Sequence, residues 1–236
     1  MRYQGSQMSG VRAITFDLDD TLWEITPVIA RAEHMVYEQI RNRFPRVCEK
    51  YALRDMSTIR QEVLETHSEI AHNLTEIRRA IFRTMLIRGG YDPEESQGLL
   101  DYFLEFRHDV TFFLDVIPAL ECLSKRFQLM TITNGNADIR RLGIAHFFEG
   151  HISAGTFGIL KPDPRIFQHA CQVLGHEPSS MLHVGDHPKD DVIGALEAGF
   201  QAVWINRRAE AWVAEREPDA EVKNLTELVN MLEERT

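Results

Sequence analysis

Asp17-Leu18-Asp19-Asp20-Thr21-Leu22 follows directly on Val11-Arg12-Ala13-Ile14-Thr15-Phe16. The earlier run is short and mostly apolar, and it reads as a buried strand. Three carboxylates therefore crowd the carboxyl end of one strand, the edge where open α/β sheets place their active sites. Carboxylates so close repel one another strongly unless something positive intervenes. A hard divalent cation, Mg²⁺ above all, relieves that repulsion through carboxylate and carbonyl oxygens. The same residues also suit a plain acidic turn capping the next helix, so support must come from elsewhere in the chain.

Outward from this stretch, β-rich apolar runs recur at Phe127–Thr133, His151–Ala154, Met181–Val184 and Gln201–Ile205, with helical patterns such as Pro164–Leu174 and Val192–Ala198 between them. The alternation predicts an α/β fold: a Rossmann-like parallel sheet of about five strands with helices on both faces. Several of the strands end in polar or glycine clusters, Asn134–Gly135 and Gly185–Asp186 among them, which a parallel sheet gathers along one edge. Between Glu24 and Phe112 the alternation stops. Four helical stripes follow one another there: Ile29, Val36, Ile40 and Phe44; Met56, Ile59 and Val63, with Ile70 further on; Ile77, Ile81 and Met85; and Leu99, Phe103, Phe106 and Val110. These read as core packing of an inserted all-helical domain. The expected organisation is a flexible tail over 1–10, a catalytic core made of 11–23 and 112–236, and the helical insertion over 24–111. Asn224–Leu232 reads as a last amphipathic helix.

Composition narrows the function classes. The 236 residues carry a net charge of −10, with 44% hydrophobic and 26% charged residues. A strongly acidic chain with interspersed basic residues does not suit nucleic-acid coating, and no apolar run approaches the length of a membrane span. The three cysteines, Cys48, Cys122 and Cys171, are odd in number and form no Cys-x-x-Cys pair. That usage, with no signal-like apolar segment at the start, points to a reducing, cytoplasmic location. The expected partner is a small anionic molecule, with the chain acting as a monomer or homodimer.

Three further stretches carry chemistry. Thr131-Ile132-Thr133-Asn134-Gly135-Asn136 ends a strand in a hydroxyl and exposed backbone N–H groups, which can hold phosphate oxygens; Asn-Gly is equally a common turn. In Leu160-Lys161-Pro162-Asp163-Pro164, prolines restrict the chain around a lysine that either offsets a carboxylate or phosphate or lies solvated at the surface. His183-Val184-Gly185-Asp186-His187-Pro188-Lys189-Asp190-Asp191 again ends a strand in acids. Asp186 can complete a metal site begun at Asp17, with Asp190 and Asp191 bonded to its waters. A zinc pair of His183 and His187, or a packed strand histidine at 183, are other uses of that stretch.

Taken in order, the four stretches resemble the signature motifs of the haloacid dehalogenase (HAD) superfamily: Asp17-Leu18-Asp19-Asp20-Thr21 the first, Thr133 the second, Lys161 the third, and Gly185-Asp186 with Asp191 the fourth. The gap from position 17 to 133 is far longer than that from 133 to 161, which is similar to members with a helical cap inserted after the first strand. The resemblance implies that Asp17 is the nucleophile and Asp19 the general acid and base. It implies that Asp17, the Asp19 carbonyl and Asp186 hold Mg²⁺, and that Thr133 and Asn134 bind phosphate. Lys161 would neutralise charge in the transition state. Members that remove halide lack the acid two residues after the nucleophile, so Asp19 implies phosphate ester hydrolysis. A sugar phosphomutase shares all four motifs. A receiver domain, a phospho-aspartate signalling module of another class, shares the residue types but not the helical insertion or motif order. In the insertion, His72-Asn73-Leu74-Thr75-Glu76-Ile77-Arg78 is similar to a His-Asp-x-Thr-x-x-Arg segment of bacterial phosphatases for FMN and ribityl-aminouracil phosphate, with Asn in place of Asp. That likeness makes Thr75 and Arg78 candidate substrate contacts.

Overall fold

The computed structural model describes residues 10–233, and apart from Gly10 the tail expected over 1–10 lies outside them. The chain divides into two compact units. One joins the described residues up to Glu24 with those from Thr111 onward, and the other is Ile25–Val110.

The first unit is built on β1 (Ala13–Phe16), β2 (Gln128–Thr133), β3 (Gly150–Ser153), β4 (Met181–Gly185), β5 (Gln201–Ile205) and β6 (Ala220–Val222). Their order in the sheet is β3-β2-β1-β4-β5-β6, and every neighbouring pair is parallel. All four residues of β1 are buried, as a strand covered on both faces requires. The sheet has six strands rather than about five. β6 is three residues long with Glu221 at its centre, too short to announce itself by periodicity. It forms because its neighbour supplies the ladder: Val203 to Ile205 pair with Ala220 to Val222, and Asp219 Oδ2 accepts the Ala202 N–H at 2.9 Å.

The second unit holds helices α1 (Ile25–Arg43), α2 (Pro45–Cys48), α3 (Met56–Thr66), α4 (Leu74–Gly89) and α5 (Ser96–Arg107). Val36, Ile40, Ile59, Val63, Ile77, Ile81, Phe82 and Phe103 form its buried core, with Ile29 and Phe106 packed partly buried against it. Full burial of one such side chain contributes about 1.5–3 kcal/mol. The ends of α4 are written in the sequence: Asn73 caps the first turn by accepting the N–H groups of Thr75 and Glu76, and Gly90 takes the left-handed conformation at the other end. Asn and Asp serve equally well in that cap, so Asn73 keeps the local structure of the segment it belongs to.

In the first unit the remaining helices are α6 (Val116–Leu123), α7 (Ala154–Phe157), α8 (Pro164–Leu174), α9 (Gly194–Glu197) and α10 (Leu225–Glu233). The helix expected over Val192–Ala198 starts earlier and differently, as a π-helical turn over Pro188–Ile193 that runs into α9. Such turns recur at functional sites, where they re-aim a side chain. Met130, Ile132, Phe167, Trp204 and Leu196 belong to the core cluster of this unit.

Arg207, just past β5, ties the loops of this unit together. Its guanidinium makes a two-pronged pair with Asp115 (2.9 and 3.1 Å), lies 4.0 Å from the centre of the Phe113 ring, and donates from Nε to the Thr21 carbonyl at 3.0 Å. Asp115 Oδ2 also accepts the Leu225 N–H at 2.7 Å, at the start of α10. Burial pushes the Asp115 carboxyl upward, but Arg207 and the Leu225 N–H outweigh it and hold the group below the usual carboxylate range. A carboxyl depressed on folding stabilises above its unfolded pKa, and that stabilisation is lost as pH falls through the folded value. Asp115→Asn should therefore cost about 1.5–3 kcal/mol at neutral pH. In urea titrations the gap between variant and wild type should close as the pH is taken below about 4.

Candidate active site

β1 lies between β2 and β4; the chain builds outward from it through β2 to β3 and then crosses back to β4 on its other side, and at such a reversal of strand order a crevice opens at the carboxyl end. Asp17 is the first residue past that end, and its N–H donates to Val184 O at 2.9 Å. Lys161 Nζ meets the Asp17 carboxylate from the loop before α8. Its three donors go to Asp17 Oδ1 (2.7 Å), Ile132 O (2.8 Å) and Asp191 Oδ1 (2.5 Å). Lys161 is 3% exposed, which disposes of the solvated surface reading. Asn134 holds the lysine's backbone in a clasp: its Oδ1 accepts the Lys161 N–H at 2.8 Å and its Nδ2 donates to Lys161 O at 3.0 Å. The neighbouring Thr133 is buried, and its hydroxyl oxygen accepts the Gly135 N–H at 2.9 Å, which sets the turn that presents Asn134.

The end of β4 supplies two more carboxylates. Asp186 Oδ1 accepts the Thr21 hydroxyl at 3.2 Å, and its carbonyl accepts the Trp204 indole N–H at 2.7 Å. Asp191 is brought back by the π-helical turn, where Oδ2 accepts the His187 N–H at 2.8 Å. Its Oδ1 lies 3.1 Å from His183 Nε2. Gly185 makes this return possible, because a Cβ there would sit 2.2 Å from the Asp191 carboxyl carbon. Asp190 is half-buried, with Oδ2 3.5 Å from Asn134 Nδ2. The two histidines are not arranged as a zinc pair. Both ring nitrogens of His183 are engaged by Thr15 and Asp191, while exposed His187 accepts the Asp190 N–H at Nδ1.

Charge is unevenly compensated here. Oxygens of Asp17, Asp186 and Asp191 all lie within 4.8 Å of one another, with one lysine among them. Burial pushes the Asp17 carboxyl well above its ordinary value; Lys161 opposes this, and Asp191 and Asp186 add to it. Asp186 is pushed up to about 7, by burial first and then by Asp191 and Asp20. Burial also works against an ionised Asp191, but Lys161 and His183 prevail and hold it below the carboxylate range. Lys161 is likewise driven down by burial and more than restored by Asp17 and Asp191. The raised Asp17 and Asp186 mark where positive charge is short. Their donors are hard oxygens, which fit Mg²⁺.

The loop after Asp17 turns sharply at Asp20, which sits at φ 60, a left-handed conformation that aspartate tolerates. Asp20 N–H donates to Trp23 O at 2.8 Å, and Arg208 reaches Asp20 Oδ1 at 3.1 Å. Asp19 is partly exposed on this loop. Next to Asp20 is a cavity of about 200 Å³, lined by Asp20, Phe113, Asp186, Trp204 and Arg208 among others. Within the helical unit, Arg78 is ion-paired to Glu33 (2.7 Å) and lies 4.4 Å from the centre of the Phe103 ring, and Thr75 belongs to the capped first turn of α4. The Asn134 clasp, the Arg207 anchor and the His183 contacts went unread in the sequence. Each needs partners distant along the chain, and only the buried-strand position of His183 hinted at any of them.

A family model described as haloacid dehalogenase-like hydrolase matches residues 11–199. The chain belongs to this family. It is 33% identical over 230 residues to the 5-amino-6-(5-phospho-D-ribitylamino)uracil phosphatase YigB of Escherichia coli (strain K12), covering 94% of this chain and 96% of that protein. It is 30% identical to the glyceraldehyde 3-phosphate phosphatase of Methanopyrus kandleri, over 95% of this chain and 98% of that one. It is an enzyme, an HAD-like phosphatase. Among solved structures, the 2-haloacid dehalogenase from Pseudomonas syringae pv. Tomato DC3000 matches with a TM-score of 0.89 and 40% identity, covering 96% of this chain and 100% of that chain. No helix among the described residues is long and apolar enough to cross a membrane.

Gly185→Ala should fold, with its far-UV circular dichroism retained, yet lose about 10²-fold in turnover, because Asp191 and the lysine it holds are displaced. Retention of full activity would show that the close approach of Asp191 to β4 is dispensable.

Proposed function

We propose that this HAD-family hydrolase is a Mg²⁺-dependent phosphomonoesterase. It acts on a small phosphorylated metabolite through an aspartyl-phosphate on Asp17, and ribityl-aminouracil phosphate and FMN are the first substrates to test. The observation that carries the reading is the buried Lys161, held 2.7 Å from Asp17 Oδ1 and 2.5 Å from Asp191 Oδ1. It presents fixed positive charge beside a carboxylate at the crevice of a parallel sheet, where a dianionic phosphoryl group would dock. The substrate class rests on the relative of Escherichia coli, which spans nearly the whole chain, and on the likeness of the 72–78 segment to that of such phosphatases.

Lys161 holds Oδ1 of Asp17, and Oδ2 would be the attacking atom. Attack forms the Asp17 O–P bond and breaks the ester P–O bond, and Asp19 gives its proton to the departing alcohol oxygen. Asp19 then takes a proton from water as that water attacks phosphorus. The Asp17 O–P bond breaks and free phosphate leaves. Lys161, with the N–H groups and hydroxyl of the Thr133–Gly135 turn, would offset charge on the phosphoryl oxygens. Asp17, the Asp19 carbonyl and Asp186 would hold Mg²⁺. When bound, it would screen the carboxylates from the phosphate and polarise the phosphoryl group. Thr75 and Arg78 would meet the organic part of the substrate.

The name of the Pseudomonas structure raises the other reading, carbon–halogen hydrolysis. Asp19 favours the ester: an alkoxide leaves poorly without a proton, whereas halide leaves unaided. The purified enzyme should release phosphate from a panel that includes FMN and ribityl-aminouracil phosphate, and release no halide from 2-haloacids. EDTA should abolish turnover and Mg²⁺ restore it, while Asp17→Asn should have none. Asp19→Asn should lose about 10²–10⁴-fold on alkyl phosphates and much less on p-nitrophenyl phosphate, whose leaving group needs no proton. Halide release, or isomerised sugar phosphate without free phosphate, would replace the reading with a dehalogenase or a mutase.

A further inference from the structure

His183 lies on β4 with 1% of its surface exposed, and no step described above employs it. Its Nδ1 is 2.7 Å from the Thr15 hydroxyl on the adjacent strand, at a position in direct register: Thr15 pairs with His183 in the β1–β4 ladder. Its Nε2 is 3.1 Å from Asp191 Oδ1, the oxygen that also takes the Lys161 ammonium. The Phe167 ring packs edge-on against the imidazole, 5.2 Å between centres, and fixes its plane.

Donor and acceptor bookkeeping settles the direction of this chain of bonds. Asp191 is ionised by its contact with Lys161, so it can only accept, and His183 Nε2 must carry the proton it offers. Burial, with the Lys161 charge nearby, pushes the His183 imidazole below its ordinary pKa and so keeps the ring neutral; Nδ1 is then an acceptor, which the Thr15 hydroxyl satisfies at 2.7 Å in preference to its longer alternative, Leu182 O at 3.3 Å. The result is a single buried line in which Thr15 donates to His183 and His183 to Asp191, while Lys161 donates to both Asp191 and Asp17. Asp191 has three donors around it: Lys161 and His183 at Oδ1, and the His187 N–H at Oδ2. His183 is the one that fixes the rotation of the carboxylate from the sheet side.

We propose that His183, set in its Nε2–H tautomer by the ionised Asp191 and steadied at Nδ1 by Thr15, is a positioning residue that orients Asp191 and thereby holds Lys161 against the nucleophile Asp17. The inference rests on the phosphatase reading for its kinetic consequence and on geometry alone for the tautomer. Carboxylates that orient a reacting group from outside the site commonly need such partners, and loss of one typically costs about 10- to 100-fold.

Two measurements test it on the full chain. The first is the ring nitrogen spectrum of ¹⁵N-histidine-labelled protein, assigned with His183→Gln. His183 should show the Nε2–H tautomer, and Thr15→Val should keep that tautomer while shifting the Nδ1 resonance, which loses its hydrogen bond. An Nδ1–H tautomer in the wild type would overturn the proposal whatever the enzyme's substrate is. The second is steady-state kinetics on whichever phosphate ester the wild type hydrolyses. His183→Leu should lower kcat about 10- to 100-fold with KM little changed. His183→Gln, whose amide places a donor near the lost Nε2, should recover most of that loss, and Thr15→Val should fall between them. Equal loss in the Leu and Gln variants would reduce His183 to a packing residue, and kcat unchanged in Thr15→Val would overturn the part given to Thr15. Failure of the wild type on every ester would sink the phosphatase reading while leaving the tautomer result to stand.

Discussion

Everything near the crevice depends on one buried ammonium held between two buried carboxylates. Moving three charges out of water carries a penalty of several kcal/mol per ion, and a buried pair recovers it only when geometry and hydrogen bonding are complete. Around Lys161 they are complete. The third donor goes to Ile132 O, Asn134 clasps the backbone on both sides of the lysine's Cα, and Asp191 is saturated by Lys161, His183 and the His187 N–H. That arrangement also explains residues that would otherwise look incidental. Gly185 is small so that the Asp191 carboxyl can lie against β4, and Gly194 is small because a Cβ there would come within 2.9 Å of Pro162 beside the lysine.

The sheet contributes by where it stops. β1, β2 and β4 deliver Asp17, Thr133 and Asp186 to one edge because they are parallel neighbours whose registers align Phe16 with both Thr131 and Val184. The loops that leave this edge are then cross-tied: Trp204 holds the Asp186 carbonyl and Arg207 holds the Thr21 carbonyl. Thr21 in turn bonds the Asp186 carboxylate. A reacting carboxylate misplaced by 1 Å can cost about 10²-fold in rate, so rigidity here is of functional consequence. It is built from strand ends and backbone carbonyls rather than from loop sequence alone.

Membership of the family leaves the leaving group as the question of interest, since the named relatives include phosphatases and the similar solved structure is a dehalogenase. In the proposed reading Lys161 and Asp17 would serve either chemistry, because both begin with carboxylate attack. The distinction falls on Asp19, placed partly exposed on the turn that Asp20 makes in its left-handed conformation. A proton donor there matters for an alkoxide and not for a halide.

Much was legible in the sequence because it is local. Strand and helix patterns placed five of the six strands and the helical stripes, since periodicity depends on residues a few positions apart. The acids and the lysine at strand ends announced an electrostatic problem that something must solve. Illegible were β6, whose three residues pair only because β5 supplies a partner, and the π-helical turn that returns Asp191 to the lysine. The side-chain role of Asn134 was hidden too, for its partner lies in the loop before α8. The sequence by itself determined which charges the site contains and which strands carry them. Tertiary structure alone decided that Lys161 meets both Asp17 and Asp191, that Asp17 and Asp186 are nonetheless left raised, and that His183 faces Asp191. Those outcomes depend on distances of a few ångströms between segments far apart in the chain, and burial makes those distances count.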